Sequence, residues 1–384
     1  MAGVSTDLDR REPRLWQRIR GISWGLVLLI CAAAGFGIAV LYSAADGSIE
    51  PWAAKQTIRF TIALVLMVGA ALVDLRHWFR VAYWVYAGVL ALVVAVDLRG
   101  FVGMGAQRWI DLGVIQLQPS ELMSVAVVLA LARYFHSLSA EDVGRTRYLM
   151  LPAAMVGVPA ALVLKQPDLG TAVTLLMGGA VMFFIAGMRL RYFALTAAAI
   201  AAALPGVWHV LRDYQKNRIR TFLDPDSDPL GAGYHILQSK IALGSGGLFG
   251  KGFLHGSQSH LSFLPEKQTD FIFTTAAEEF GLVGGLGLLA LYSLIMVYGF
   301  AMALRSRNHF GRLLGLGIVT NFFLSVFINT AMVMGLIPVV GVPLPLISYG
   351  GTAMLAVMFG FGLLINVGVH SDTRLNRNGE RRPG

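Results

Sequence analysis

Three groups of polar residues stand in stretches that are otherwise apolar, and each carries groups suited to proton or phosphate chemistry. The first is Arg108-Trp109-Ile110-Asp111, followed by Gln118-Pro119-Ser120-Glu121. Proline with Ser and Glu behind it starts a helix well. Glu121 therefore either complements the helix dipole or faces an internal cavity. The second is Lys165-Gln166-Pro167-Asp168-Leu169-Gly170-Thr171. Here Asp168 either caps the following helix or belongs to a site. The third runs from Phe263 to Gly281 and holds Asp270, Glu278 and Glu279. Asp270 either caps a helix, with Thr269 as its rival, or works with basic residues of the preceding loop. Glu278 and Glu279 differ by about 100° around a helix, so they cannot share one cavity. One of them is expected to pair with a neighbouring helix.

The loop before Asp270 supplies cations: Arg218, Arg220, Lys240, Lys251 and Lys267. Cations beside a carboxylate at headgroup depth suit a lipid-linked phosphate, because they stabilise charge developing on a departing phosphate oxygen. Contact with anionic lipid headgroups explains the same residues. Two tempting motifs fail. Asp224, Asp226 and Asp228 imitate a calcium loop, but Pro229 occupies the position that needs Gly, and no Glu closes the loop. The three aspartates still leave a divalent cation open as a cofactor. Gly244 to Lys251 imitates a nucleotide-binding loop, but Ser245 stands where its first Gly belongs, and Gly252 where it needs Ser or Thr.

These residues need a scaffold, and composition says which kind. The 384-residue chain is 56% hydrophobic and 14% charged, whereas soluble domains are about 25% charged. This excludes a disordered chain, a nucleic-acid-binding domain and a typical cytosolic enzyme. The single cysteine, Cys31, lies in an apolar run and reads as packing. A bilayer core needs roughly 20 apolar helical residues per crossing. Ten such spans are predicted: 22–43, 57–73, 81–96, 119–134, 148–164, 169–188, 192–211, 270–304, 313–336 and 346–369. The cut between the fifth and sixth rests on Gln166, Pro167 and Asp168. Nineteen of the 31 Lys and Arg fall in the termini and the short loops of one side, and five in the opposite short loops. Short basic loops stay in the cytoplasm, so both termini are expected there. The other seven lie in the long outer loop, about residues 212–269, which is exempt from that rule. The fold class expected is all-α: a polytopic membrane protein with about ten transmembrane helices and a large structured extracytoplasmic loop. Residues 1–21 form a cytoplasmic arm, 22–370 the membrane domain and 371–384 a cytoplasmic tail. The first span is too long for a cleaved signal peptide. Leu15, Trp16, Ile19 and Ile22 would give the arm an interfacial face. Tyr234 to Leu243 is apolar enough for a helix on the membrane surface.

Set on these spans, the motifs resemble those of the SEDS family (shape, elongation, division and sporulation). They are Arg108-Trp109-Ile-Asp111, Gln118-Pro-Ser-Glu121, Gln166-Pro-Asp168-Leu-Gly-Thr171, Phe263-Leu-Pro-Glu with Thr269-Asp270-Phe-Ile-Phe, Glu278-Glu279-Phe-Gly281, and Pro343-Leu-Pro-Leu-Ile-Ser348-Tyr-Gly-Gly351. The loop from Asp224 to Lys240, with Gly250-Lys-Gly252, is most similar to the family's elongation member; the division paralogue usually differs there. The resemblance implies a peptidoglycan glycosyltransferase that polymerises lipid II on the outer face of the cytoplasmic membrane and releases undecaprenyl pyrophosphate. It places the essential aspartate at Asp270, the loop arginine at Arg218 and the fourth-span glutamate at Glu121. Arg220, Lys251, Lys267, Gln166, Asp168 and Ser348 join them as substrate-binding candidates, with Trp109, Asp111, Glu278 and Glu279 in support. The implied partners are a class B penicillin-binding protein and other elongation-complex membrane proteins; no nucleic acid is expected. A lipid II flippase is the main rival. It should show internal repeats around a midplane site, and no repeat is visible. A non-catalytic activator of the partner is the third reading.

Overall fold

A computed structural model describes residues 15–99, 101–103, 106–111, 116–139, 141–211, 213–228, 231–257, 266–373, 375–376 and 379. Most of the expected arm, the motif residues Phe263, Leu264 and Pro265, and Arg212, Pro229 and the tail arginines lie outside the described residues.

A short helix α1 (Leu15–Arg20) precedes α2 (Trp24–Ala44), α3 (Ala53–Leu72) and α4 (Leu75–Arg99). Then come α5 (Pro119–Ser137), α6 (Thr146–Lys165), α7 (Leu169–Ile185) and α8 (Leu190–Val210). The outer loop contributes α9 (Asp213–Leu223) and α10 (Ala232–Ser245). The last three are α11 (Ile272–Arg305), α12 (His309–Val333) and α13 (Gly351–Val369). Each of the ten predicted spans coincides with one of these helices. Seven of the described helices are long and apolar enough to cross a membrane, and α7 and the apolar part of α8 are shorter. The fifth helix, α5, carries Glu121, Arg133 and His136 among its apolar residues.

Bilayer lipid gives apolar helices little reason to prefer one another, so association rests on close packing and hydrogen bonds. Gly362 lets α13 lie against α3: a Cβ there would stand 2.6 Å from the Met67 carbonyl. Asn366, fully buried in α13, donates from Nδ2 to the Ala71 carbonyl (2.9 Å) and to that of Val73, groups freed where α3 ends. The α6–α7 break is closed by Asp168, whose carboxylate accepts from the Thr171 backbone N–H (3.2 Å).

Two features depart from the sequence reading. The turn expected before α5 contains three short antiparallel strands, β1 (Phe101–Gly103), β2 (Ala106–Asp111) and β3 (Gln116–Leu117), in the order β1-β2-β3. Phe101 pairs with Trp109, and Ile110 with Leu117. Aromatic and β-branched residues favour such pairing, but the strands are too short to show a periodicity in sequence.

The eighth span is also not one continuous helix. Gly281 interrupts α11 with φ +67° and ψ −164°, and the segment 246–252 fills the gap. Lys251 N–H donates to the Glu278 carbonyl and Gly252 N–H to that of Glu279, both at 3.0 Å. Beyond the break, Leu282 N–H donates to Gly247 (2.9 Å) and Val283 N–H to Leu248 (3.1 Å). The groups freed by the break are thus satisfied within the protein, as an apolar surrounding demands. A Cβ on Gly250 would lie 2.0 Å from the Glu279 carbonyl, and one on Gly281 2.3 Å from Gly250 N, so neither position has room for a side chain. The glycine run that imitates a nucleotide loop is a backbone plug for a broken helix.

Candidate active site

The interruption makes a short helical segment, 272–280, with Asp270 just ahead of it. The capping position belongs to Phe271, with no side-chain cap, so the Asp270 carboxylate is not used to close the helix. Its backbone is held from α12: Asn329 Nδ2 donates to the Asp270 carbonyl (2.9 Å) and the Val342 carbonyl (2.7 Å). Gly341, at φ +74°, passes so near that a Cβ would lie 3.3 Å from Asp270 Oδ2. Ser348 ties the loop before α13 to the same segment. Its hydroxyl donates to the Thr269 carbonyl (2.6 Å) and accepts from Leu344 N–H (2.7 Å).

Asp270 is only partly exposed, and burial pushes its carboxyl up to about 6. The nearby anions Glu266 and Asp168 push the same way, while the Arg218 and Arg108 cations pull it down. A carboxyl group poised near 6 is mostly ionised at neutral pH yet still a competent proton acceptor, the combination general-base work requires. Arg218 comes from α9. It and Arg220 are two residues apart, so a helix turns them to different sides. The Arg220 guanidinium lies 5.9 Å from the centre of the Trp208 ring, whereas the charge of Arg218 acts on Asp270. Arg108 arrives on β2, its guanidinium donating to the carbonyls of Gln166 (3.2 Å) and Pro167.

Glu121 lies within reach of the charges of Asp168 and Asp270. It lines a partly open cavity of about 620 Å³ together with Ser124, Thr171, Asn321, Ser325 and Ser348. The cavity adjoins a second of about 450 Å³, where Glu121, Ser124 and Asn321 meet Ile318, Phe322 and Phe361. The lining thus passes from polar to apolar. Asp168 stands behind the lining residue Thr171, accepting from its hydroxyl (2.9 Å) and from Gln118 Nε2 (3.0 Å).

The other candidates stand elsewhere. Lys251 Nζ is 2.7 Å from Glu278 Oε1, in a pair whose carboxylate is fully buried. Glu279 turns to a different neighbour and accepts from the Ser43 hydroxyl on α2. Lys267 is buried, its ammonium 6.0 Å from the centre of the Trp52 ring. The Gln166 side chain turns to the Val93 carbonyl (2.9 Å). Trp109 and Asp111 are committed to the small sheet, with Asp111 opposite Gln116. Among the described residues no three His, Cys, Asp or Glu side chains converge with metal-binding geometry, and Asp224, Asp226 and Asp228 do not form such a group. Sequence reasoning named Arg108 and Glu266 in motifs without giving them a role at the site, and it missed Asn329 and Gly341. Asn329 was the most findable, being a polar side chain deep in an apolar span.

The FtsW/RodA/SpoVE family, described as Cell cycle protein, matches residues 23–373. The peptidoglycan glycosyltransferase MrdB of Escherichia coli (strain K12) is 43% identical over 347 residues, covering 90% of this chain and 93% of its own. The peptidoglycan glycosyltransferase RodA of Treponema pallidum (strain Nichols) is 32% identical over 430 residues, covering 91% and 99%. A solved chain from work on a peptidoglycan synthase complex that coordinates polymerization and crosslinking superposes with a TM-score of 0.79 at 32% identity, covering 90% of this chain and 97% of that one.

Proposed function

This chain belongs to the FtsW/RodA/SpoVE family, the SEDS proteins, and on that premise we propose how its site makes glycan. It is a multi-pass membrane protein and a peptidoglycan glycosyltransferase of the elongation type. Its substrate is lipid II, the undecaprenyl-pyrophosphate-linked disaccharide pentapeptide. The donor sugar carries an α-linked pyrophosphate and the product bond is β-1,4, so one direct displacement gives the required inversion. The acceptor's 4-hydroxyl oxygen attacks the anomeric carbon of the donor and passes its proton to Asp270. The bond from that carbon to the pyrophosphate oxygen breaks, and the electron pair leaves with undecaprenyl pyrophosphate. Arg218 and Arg108 face the charge that develops there. Glu121 lines the cavity on the acceptor side.

One observation carries this reading: a carboxyl group near 6, beside the Gly341–Ser348 loop that lines a polar-to-apolar cavity, with two arginines acting on it. Both termini lie in the cytoplasm and Asp270 faces the periplasm, a sidedness supported by the skew of Lys and Arg in the short loops. The likeness to a chain from a synthase complex supports a class B penicillin-binding protein as the partner that cross-links the new strands, among other elongation-complex proteins. The test is Asp270→Asn in purified protein. It keeps size but loses the base, and polymer formation should stop while lipid II binding stays. Full activity of that variant removes Asp270 from the role.

A further inference from the structure

A second polar cluster lies on the other side of the loop that holds Ser348. Arg59, in α3, is partly buried, and its Nη1 is enclosed without a hydrogen-bond partner. The guanidinium lies 4.5 Å from the centre of the Tyr349 ring, and its Nε is 3.3 Å from where a Cβ on Gly351 would stand. Arg59 is six residues past the first residue of α3, about 9 Å along the helix axis. A cation inside an apolar span calls for an anionic partner, and among the described residues Arg59 has none. Gln56 lies one turn earlier on the same face. It is fully buried, its Nε2 donates to the Ser348 carbonyl (3.0 Å), and its Oε1 has no partner. Lys55, exposed one turn before Arg59, adds a second cation at this end of α3.

The two unsatisfied groups are of opposite kind. Arg59 needs an acceptor carrying negative charge; Gln56 Oε1 needs a donor. A phosphate answers only the first, and a sugar phosphate, with hydroxyl and amide N–H groups, answers both. The cluster shares a wall with the Asp270 site. The Ser348 hydroxyl donates to the Thr269 carbonyl (2.6 Å), and Tyr349 N–H donates to the Gln268 carbonyl (2.8 Å). We propose that Arg59, Gln56 and Lys55, with the Ser348–Gly351 loop, form a second seat for a membrane-anchored pyrophosphoryl sugar. This rests on the polymerase reading above, in which two lipid-linked sugars must be held at once. Arg218 and Arg108 serve the departing pyrophosphate of the donor, so the Arg59 seat takes the pyrophosphate of the acceptor.

The test counts bound ligand. Full-length protein in phosphatidylcholine nanodiscs is titrated with undecaprenyl pyrophosphate and, separately, with lipid II. Wild type and Asp270→Asn should each hold two equivalents, and Arg59→Gln one. Gln56→Leu should bind undecaprenyl pyrophosphate as wild type does, but should lose about tenfold in affinity for the second lipid II. A single equivalent on wild type, two on Arg59→Gln, or unchanged lipid II binding by Gln56→Leu overturns the proposal; the last two leave a bridging water only. Displacement of the second equivalent by phosphatidylglycerol reduces the seat to a headgroup contact and overturns it as well. Polymer formation by wild type is scored on the same discs. Its absence refutes the polymerase reading without altering the count of bound ligand.

Discussion

Acid should silence this enzyme well before an ordinary aspartate would be protonated. Burial and the anions Glu266 and Asp168 outweigh Arg218 and Arg108 and set the Asp270 carboxyl at about 6, against an ordinary 3.8. A general base works only when deprotonated, so activity rises with pH through that value. At about pH 7 roughly ten carboxyl groups in eleven are ionised, and at about pH 5 roughly one in eleven. The turnover rate at saturating lipid II should therefore fall about tenfold between those two points. An unperturbed aspartate would lose only about 6% over the same interval. Two variants give the sign. Glu266→Gln removes an anion that raises the value, so the midpoint moves toward acid. Arg218→Gln removes a cation that lowers it, so the midpoint moves toward alkali, whatever happens to the plateau rate. The assay is initial polymerisation rate from lipid II in detergent, with polymer separated from lipid-linked precursor. A rate that stays flat down to about pH 5, or a midpoint that Glu266→Gln leaves in place, refutes the reasoning.

Three further outcomes follow from the packing. Gly281→Ala forces a side chain onto φ +67° with backbone atoms 2.3 to 2.7 Å away; it should cost more than the ~1–3 kcal/mol of a strained backbone alone and appear as lower thermal stability and aggregation. Lys251→Met strands the buried Glu278 carboxylate and should cost about 3 kcal/mol, while adding Glu278→Gln should recover most of that in a thermal double-mutant cycle. Ser348→Ala removes the bonds to Thr269 and Leu344; it should cost about 1–3 kcal/mol of local order and lower kcat more than it changes prenyl-pyrophosphate binding.

How much was legible differed by element. The ten spans were readable because a bilayer imposes one length and one polarity on every crossing. The α6–α7 cut at Gln166-Pro167-Asp168 was readable because proline and a capping carboxylate act locally. The small sheet was not, since pairing of Phe101 with Trp109 depends on contacts between segments rather than on periodicity. That Glu278 and Glu279 cannot share one cavity needed only helix geometry, but their partners, Lys251 and Ser43, needed coordinates.

Sequence alone determined that this is an apolar bundle of about ten crossings with carboxylates and cations gathered toward one end, because spacing, charge and hydropathy are properties of the chain taken locally. Only the tertiary structure decided which of those charges meet. It sent Arg218 and Arg108 to Asp270, Lys251 to Glu278 and Arg220 to Trp208. It also split the eighth span at Gly281 and filled the break with the glycine loop. These choices depend on which segments, distant in the chain, can satisfy one another's buried polar groups where no water is at hand.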